Sequence, residues 1–199
     1  MTTPLCDDPA TTDLAARCAG IEVLVVDVDG VLTDGVIVVD DHGVETKRFH
    51  VRDGWALNAW RRSGKRTAVI SGRASKATAR RAAELGITPV IQGATAKSGP
   101  FRELLARLRV RPEQVAYMGD DLPDLPVLAA AGLAACPADA ALEVRAICHH
   151  VTRASGGRGA VREVIELILK HQGLWEPLVA PLRIPATADA GEPTAEELS

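Results

Sequence analysis

The sequence predicts an α/β fold built on a central parallel sheet, and three observations carry that expectation. Short β-branched runs alternate with longer helix-like segments, as crossover-connected parallel strands require. The first run, Ile21-Glu22-Val23-Leu24-Val25-Val26, is almost wholly apolar rather than alternating, which suits an inner strand covered on both faces. Polar residues follow the ends of such runs, Asp27 and Asp29 first, and open α/β sheets bind ligands at those ends.

Taken in order, residues 1–12 are polar and contain proline, which predicts a loose arm. Asp13 to Cys18 reads as a short lead-in helix, and Ile21 to Val26 as the first strand. Two β-like runs, Gly35 to Val39 and Val44 to Val51, flank Asp40-Asp41-His42-Gly43 and predict a hairpin. A helix is expected from about Gly54 to Ser63, with Asp53 as its N-cap. Arg66 to Ile70 is a second core strand with Ser71-Gly72-Arg73 as its exit loop, followed by a helix that Gly86 closes. Ile87 to Ile91 and Val115 to Met118 are further strands, separated by Lys97 and a helix ending near Leu108. Gly119-Asp120-Asp121 leads into a helix over Pro123 to Ala131, a strand over Leu133 to Cys136, a helix over Asp139 to Ile147, and a short strand over His150 to Thr152. Gly156-Gly157-Arg158-Gly159 reads as a flexible loop, either a plain connection or a hinge. Val161, Val164, Ile165, Ile168 and Leu169 form the apolar stripe of a last helix. Residues 13–172 thus make one domain, and 173–199, rich in proline and glycine and then acidic, read as a disordered tail.

Composition narrows the function. A chain of 199 residues, 47% hydrophobic and 25% charged, supports one well-packed domain. A net charge of -3 with no basic block argues against nucleic acid as a partner. The four cysteines show no metal-type spacing and no disulfide framework, which points to a reducing, cytoplasmic setting. The start of the chain lacks the apolar core of a signal peptide, and no apolar run reaches the ~18 residues of a membrane span.

If successive strand ends share one edge, Asp27, Asp29, Ser71, Lys97, Asp120, Asp121 and Asp124 meet in one crevice. So many carboxylates need a cation, and hard oxygen donors without His or Cys select Mg²⁺. That set suits phosphoryl transfer: one carboxylate attacks phosphorus, a second protonates the leaving alcohol and then activates water, and a hydroxyl and an ammonium hold the remaining oxygens.

The ordered motifs Asp-Val-Asp-Gly-Val-Leu-Thr-Asp-Gly (27–35), Ser-Gly-Arg (71–73), a lone Lys97 and Gly-Asp-Asp-Leu-Pro-Asp (119–124) resemble those of the haloacid dehalogenase-like phosphatases. Phe49 to Gly54, Leu85 to Ile87, Gln92-Gly93, Ala116 to Leu122 and Gly156 to Glu163 extend the likeness to the group acting on 3-deoxy-D-manno-octulosonate 8-phosphate, over about Ile21 to Gln172. The resemblance implies a Rossmann-like parallel sheet of the haloacid dehalogenase type, capless, with the hairpin as a flap. It implies Mg²⁺-dependent hydrolysis of a 2-keto-3-deoxy sugar acid phosphate in lipopolysaccharide biosynthesis, through an aspartyl-phosphate. By resemblance Asp27 is the nucleophile and Asp29 the general acid/base. Mg²⁺ would be held by Asp27, the Asp29 carbonyl and Asp120, with Asp121 and Asp124 supporting its waters and Lys97. The family's hairpin, here Gly35 to Phe49, builds a homotetramer whose subunits close each other's sites. Two departures concern selectivity rather than chemistry: Ser71 stands where the family often has Thr, and Ala56 where it often has Gly.

Gly30 and Gly72 fall within the motifs and are expected to line the substrate site. Arg73 fits either a surface position at a helix start or a ligand for the substrate's carboxylate or phosphate. Arg52 fits either an ion pair at the hairpin base or a substrate contact. A sialic-acid-like 9-phosphate is an alternative substrate. A non-catalytic oligomerisation module for a sugar-acid cytidylyltransferase is an alternative of another class.

Overall fold

The computed structural model describes residues 9–183. Six strands form one parallel sheet: β1 (Val23–Val26), β4 (Arg66–Ile70), β5 (Val90–Ile91), β6 (Val115–Met118), β7 (Leu133–Cys136) and β8 (His150–Val151), in the order β5-β4-β1-β6-β7-β8. Successive residues point to opposite faces of a strand, and the core divides accordingly. Leu24, Val26, Val69 and Met118 belong to one apolar layer, and Val23, Val25, Ala68 and Tyr117 to the other. Helices α2 (Val51–Arg62) and α7 (Ala160–His171) cover the first face, with Leu57, Trp60, Val164 and Ile168 buried there. Helix α4 (Ser98–Leu108) covers the second through Phe101 and Leu104. With both faces dry, β1 and β6 contain no exposed position. β1 therefore sits mid-sheet, and its C-terminal end opens beside those of β4 and β6.

Several elements differ from expectation for identifiable reasons. The lead-in helix α1 runs Pro9–Ala19, so residues 9–12 are helical, while residues 1–8 of the expected arm lie outside the described residues. The hairpin exists, but its ladder is only β2 (Val38–Val39) and β3 (Glu45–Thr46). Asp40 closes its turn, accepting from His42 N at 2.9 Å and Val44 N at 2.8 Å. Among the described residues these two strands pair only with each other, and Val36, Ile37, Val38, Val39 and Val44 are all exposed.

Asp53 does not cap its own helix. Helix α2 begins two residues earlier, behind His50 at the N-cap, and the buried Asp53 carboxylate reaches across to the start of α7, accepting from Gly159 N at 3.2 Å and Arg162 N at 2.8 Å. Two free amides at a helix start attract a carboxylate whatever part of the chain supplies it.

The helix expected over Pro123 to Ala131 is a 3₁₀ turn, Leu122–Asp124, followed by the single turn α5 (Leu125–Leu128). The helix expected from Asp139 starts only at Leu142 (α6, Leu142–Ile147), because Asp139 Oδ1 accepts from Gly156 N at 2.9 Å and Ala141 N donates to Asp120 O at 2.8 Å. The loop 156–159 is packed rather than free. A Cβ on Gly156 would lie 1.8 Å from Gly30 O, and Gly157, at φ +61°, sits against Thr33. Bare backbone there lets the loop buttress the segment carrying Asp27 and Asp29, which argues against a hinge.

The tail expectation is corrected over 173–183. Helix α8 (Trp175–Val179) docks on α2 and α7. Trp175 is largely buried, edge-on to Trp55 with ring centroids 5.8 Å apart. One indole supplies enough apolar area to order a short helix. Residues 184–199 of the expected tail lie outside the described residues.

Candidate active site

The C-terminal edge of the sheet holds an open crevice of about 460 Å³ lined by Asp27, Asp29, Ser71, Gly72, Arg73, Lys97, Asp120, Asp121 and Asp124 among others. Small-molecule sites typically measure about 300–1,000 Å³. The sheet order makes this meeting: β1 delivers the first two aspartates, β4 Ser71, and β6 the last three. Lys97 stands immediately before α4.

Asp27 is buried. Its Oδ1 accepts from Val28 N at 2.6 Å, and its Oδ2 is 2.7 Å from Lys97 Nζ. The chain then winds round the Val28 carbonyl, which accepts from Leu32 N at 2.9 Å and Thr33 N at 3.0 Å. Gly30 is required by its neighbour: it has φ +84°, and a Cβ there would lie 2.0 Å from Asp120 Oδ2. Ser71 is buried at the end of β4 and fixed through Ser71 N to Ile91 O at 2.9 Å. Its Oγ accepts weakly from Arg73 N at 3.4 Å.

Asp124 organises the far wall. Its Oδ1 accepts from Lys97 Nζ at 2.6 Å and Tyr117 Oη at 2.5 Å, and its Oδ2 from Asp120 N at 3.1 Å and Asp121 N at 3.3 Å. Carboxylate oxygens of Asp27, Asp120 and Asp124 lie within 4.8 Å of one another. A carboxylate offers about four lone-pair sites, and four donors already fill those of Asp124. Asp27 and Asp120 are therefore the members of this set with lone pairs left that could hold a cation, while Asp124 is taken up by the loop. All-oxygen donors suit a hard divalent ion such as Mg²⁺.

The electrostatics agree. Burial first, offset in part by Lys97, raises Asp27 to about 6. Burial, then Asp27 and Asp124, raises Asp120 to about 8. Burial alone would lower Lys97, but the facing Asp27 and Asp124 carboxylates outweigh it and hold its pKa above the usual lysine value. Burial and the Asp124 carboxylate push the Tyr117 hydroxyl well above its ordinary value, so it remains a donor. Carboxylates held above their usual range are those a divalent cation would restore to the ionised form.

Asp29 faces a different set. Its carboxylate pairs with Lys47 Nζ from the hairpin, and its Oδ2 is 3.7 Å from Arg73 Nε. Asp121 is exposed on the crevice rim. Arg52 stands apart, exposed on the first turn of α2, and does not line the crevice. Sequence reasoning missed Tyr117, Glu45 and Lys47. Tyr117 is the lone tyrosine, one residue out of phase with Met118 and so on the opposite face of β6. Glu45 and Lys47 are two apart at the returning strand, a spacing that puts side chains on one face of extended chain, and that was the available signal.

A family model of haloacid dehalogenase-like hydrolases matches residues 51–132. The chain is 47% identical over 171 residues to the 3-deoxy-D-manno-octulosonate 8-phosphate phosphatase KdsC of Yersinia pestis, covering 86% of this chain and 91% of that protein. It is 45% identical to the Escherichia coli K12 enzyme of the same name, covering 84% and 89%. The chain belongs to this phosphatase family, within the haloacid dehalogenase-like hydrolases. Solved structures agree. The Yersinia pestis phosphatase superimposes with a TM-score of 0.81 at 48% identity, covering 82% of this chain and 89% of that one. The Moraxella catarrhalis phosphatase, solved with a magnesium ion, a phosphate ion and a KDO molecule, superimposes at 0.85 with 40% identity, covering 86% and 99%. The chain is accordingly a phosphatase.

Proposed function

We propose that this phosphatase hydrolyses 3-deoxy-D-manno-octulosonate 8-phosphate, with Mg²⁺, through an aspartyl-phosphate on Asp27. The observation that carries the reading is a buried carboxylate at the end of the central strand, held by Lys97 2.7 Å away and facing a second acidic group, Asp120, across a cation seat. The named relatives supply the sugar acid.

Asp27 attacks phosphorus as the ester P–O bond breaks, and Asp29 gives its proton to the departing alkoxide. Water then attacks phosphorus, Asp29 takes a proton from it, and the bond to Asp27 breaks to release phosphate. Ser71 and Lys97 hold phosphoryl oxygens, and Lys97 balances their charge. Asp27, the Asp29 carbonyl and Asp120 would hold Mg²⁺, which supplies charge neutralisation at the phosphoryl group. Gly30 and Gly72 give the phosphoryl group backbone to approach, and Arg73 takes the acid group. The phosphatase domain, 13–172, with α8 packed on it, works in the cytoplasm and assembles as a homotetramer through its hairpins.

A panel of sugar acid phosphates, assayed for phosphate release with and without Mg²⁺, tests the substrate. The eight-carbon acid is expected to give the highest kcat/KM, and a clear preference for a nine-carbon sialic-acid-like phosphate would overturn the assignment. Asp27→Asn keeps the side-chain shape but removes the nucleophilic charge. It should abolish turnover, weaken Mg²⁺ binding and leave the circular dichroism spectrum unchanged; near-normal activity would refute the covalent route.

A further inference from the structure

The returning hairpin strand β3 lays the Glu45 carboxylate against Arg73, the residue proposed above to take the substrate's acid group. Glu45, on β3, and Lys47, just beyond it, reach two residues of the crevice lining, Arg73 and Asp29. The Lys47 side chain is only 4% exposed, pairs with Asp29, and lies 3.0 Å from Glu45 Oε1. The other Glu45 oxygen, Oε2, is 2.5 Å from Arg73 Nη2. Lys47 and then Arg73 hold the Glu45 carboxyl below its usual range, so it is ionised at neutral pH. Arg73 belongs to the crevice lining, yet its partner is supplied by the chain itself. The guanidinium already faces two carboxylates of the chain, Glu45 at Nη2 and Asp29 3.7 Å from Nε, so a substrate carboxylate that is to pair with Nη2 competes with Glu45 for it.

We propose that Glu45 is a specificity-determining residue whose carboxylate occupies on Arg73 the seat of the substrate's acid group, so that an acid-bearing phosphate ester must displace it to bind. This rests on the sugar acid reading of the substrate. A phosphate ester without an acid group leaves the Glu45–Arg73 pair intact. Only an acid-bearing ester takes over Arg73 and frees the hairpin contact, so binding is coupled to the hairpin's position through this pair.

Glu45→Gln keeps the shape and removes the competing charge. Three quantities are compared with wild type: calorimetric affinity for the phosphate-free 2-keto-3-deoxy sugar acid, KM for its phosphate, and KM for p-nitrophenyl phosphate, which has no carboxylate. The pair is partly exposed, so the gain is about two- to fivefold. The acid should bind more tightly and KM for its phosphate should fall by that factor, with p-nitrophenyl phosphate unchanged. Unchanged or weaker binding of the acid would show that Glu45 merely orients Arg73 and would overturn the proposal. An equal gain on p-nitrophenyl phosphate would also overturn it, because general loosening of the flap would then suffice. Calorimetry judges Glu45 without turnover, whereas a wild-type enzyme inactive on the sugar acid phosphate would count against the substrate instead.

Discussion

Asp27 and Asp29 leave the same strand end but enter different surroundings. Asp27 is buried against Lys97, while Asp29 meets the hairpin's Lys47. Their substitutions should differ accordingly. Asp29→Asn should lose about 10²–10⁴ in kcat with a sugar leaving group, the scale of general acid catalysis. With an acidic phenol leaving group, a pre-steady-state burst should largely survive while later turnovers stay slow. Equal loss of the burst for both leaving groups would reject the role. The proposed metal seat makes a second prediction. Asp27 is raised to about 6 and Asp120 to about 8, both above their unfolded value near 4. The folded, metal-free cluster therefore keeps protons that the unfolded chain has released. Its contribution to stability is full below pH 4 and is lost as pH rises through about 6 and then about 8. Mg²⁺ displaces those protons, so the rise in Tm on adding Mg²⁺ should be larger at pH 8 than at pH 6. Thermal scans at fixed Mg²⁺ check this, and a shift independent of pH would count against a seat between these two carboxylates.

At the scale of elements, Asp53 is the clearest case of one helix completing another. It accepts from two backbone amides at the start of α7, the helix whose Val161, Val164, Ile165 and Ile168 close one face of the core. Asp53→Ala should cost about 1–2 kcal/mol, the upper part of the range for a lost helix cap, because the two amides are left without their acceptor. Urea denaturation should show a lower midpoint with an unchanged slope. A loss within 0.5 kcal/mol would mean that water satisfies the amides as well as the carboxylate does. The packed glycines 156 and 157 act at the same scale, since they let one loop support another backbone to backbone beneath the aspartates.

For the whole molecule, the hairpin is the open question that the fold poses. Val36 and Ile37 lead into the two-residue ladder that carries Val38 and Val39, all four are exposed, and among the described residues β2 and β3 pair only with each other. An isolated hairpin is marginal in water, and a contiguous apolar patch marks an association surface. Replacing Ile37 and Val39 with Lys should split the proposed tetramer and raise KM while the sheet stays folded. Light scattering of the two proteins at assay concentration, with circular dichroism as the control, checks it. An active wild-type monomer would sink the tetramer.

By itself the sequence determined the sheet and the edge at which its polar residues gather. The apolar runs had to be inner strands because no position in β1 or β6 could face water, and Asp27, Asp29, Ser71, Lys97, Asp120, Asp121 and Asp124 had to meet because parallel strands end at one edge. Local patterns could not determine partners far apart in the chain. Asp53 was legible as a cap, but which helix it caps depends on α2 lying beside α7. Trp175 was legible as apolar, but whether it orders the tail depends on Trp55 standing opposite. Glu45 and Lys47 were passed over, because only the folded hairpin brings them to Arg73 and Asp29. Periodicity and strand-end position are properties of a segment and can be read from it. Hydrogen bonds and ion pairs between distant segments arise only when tertiary packing brings both partners within 3–4 Å.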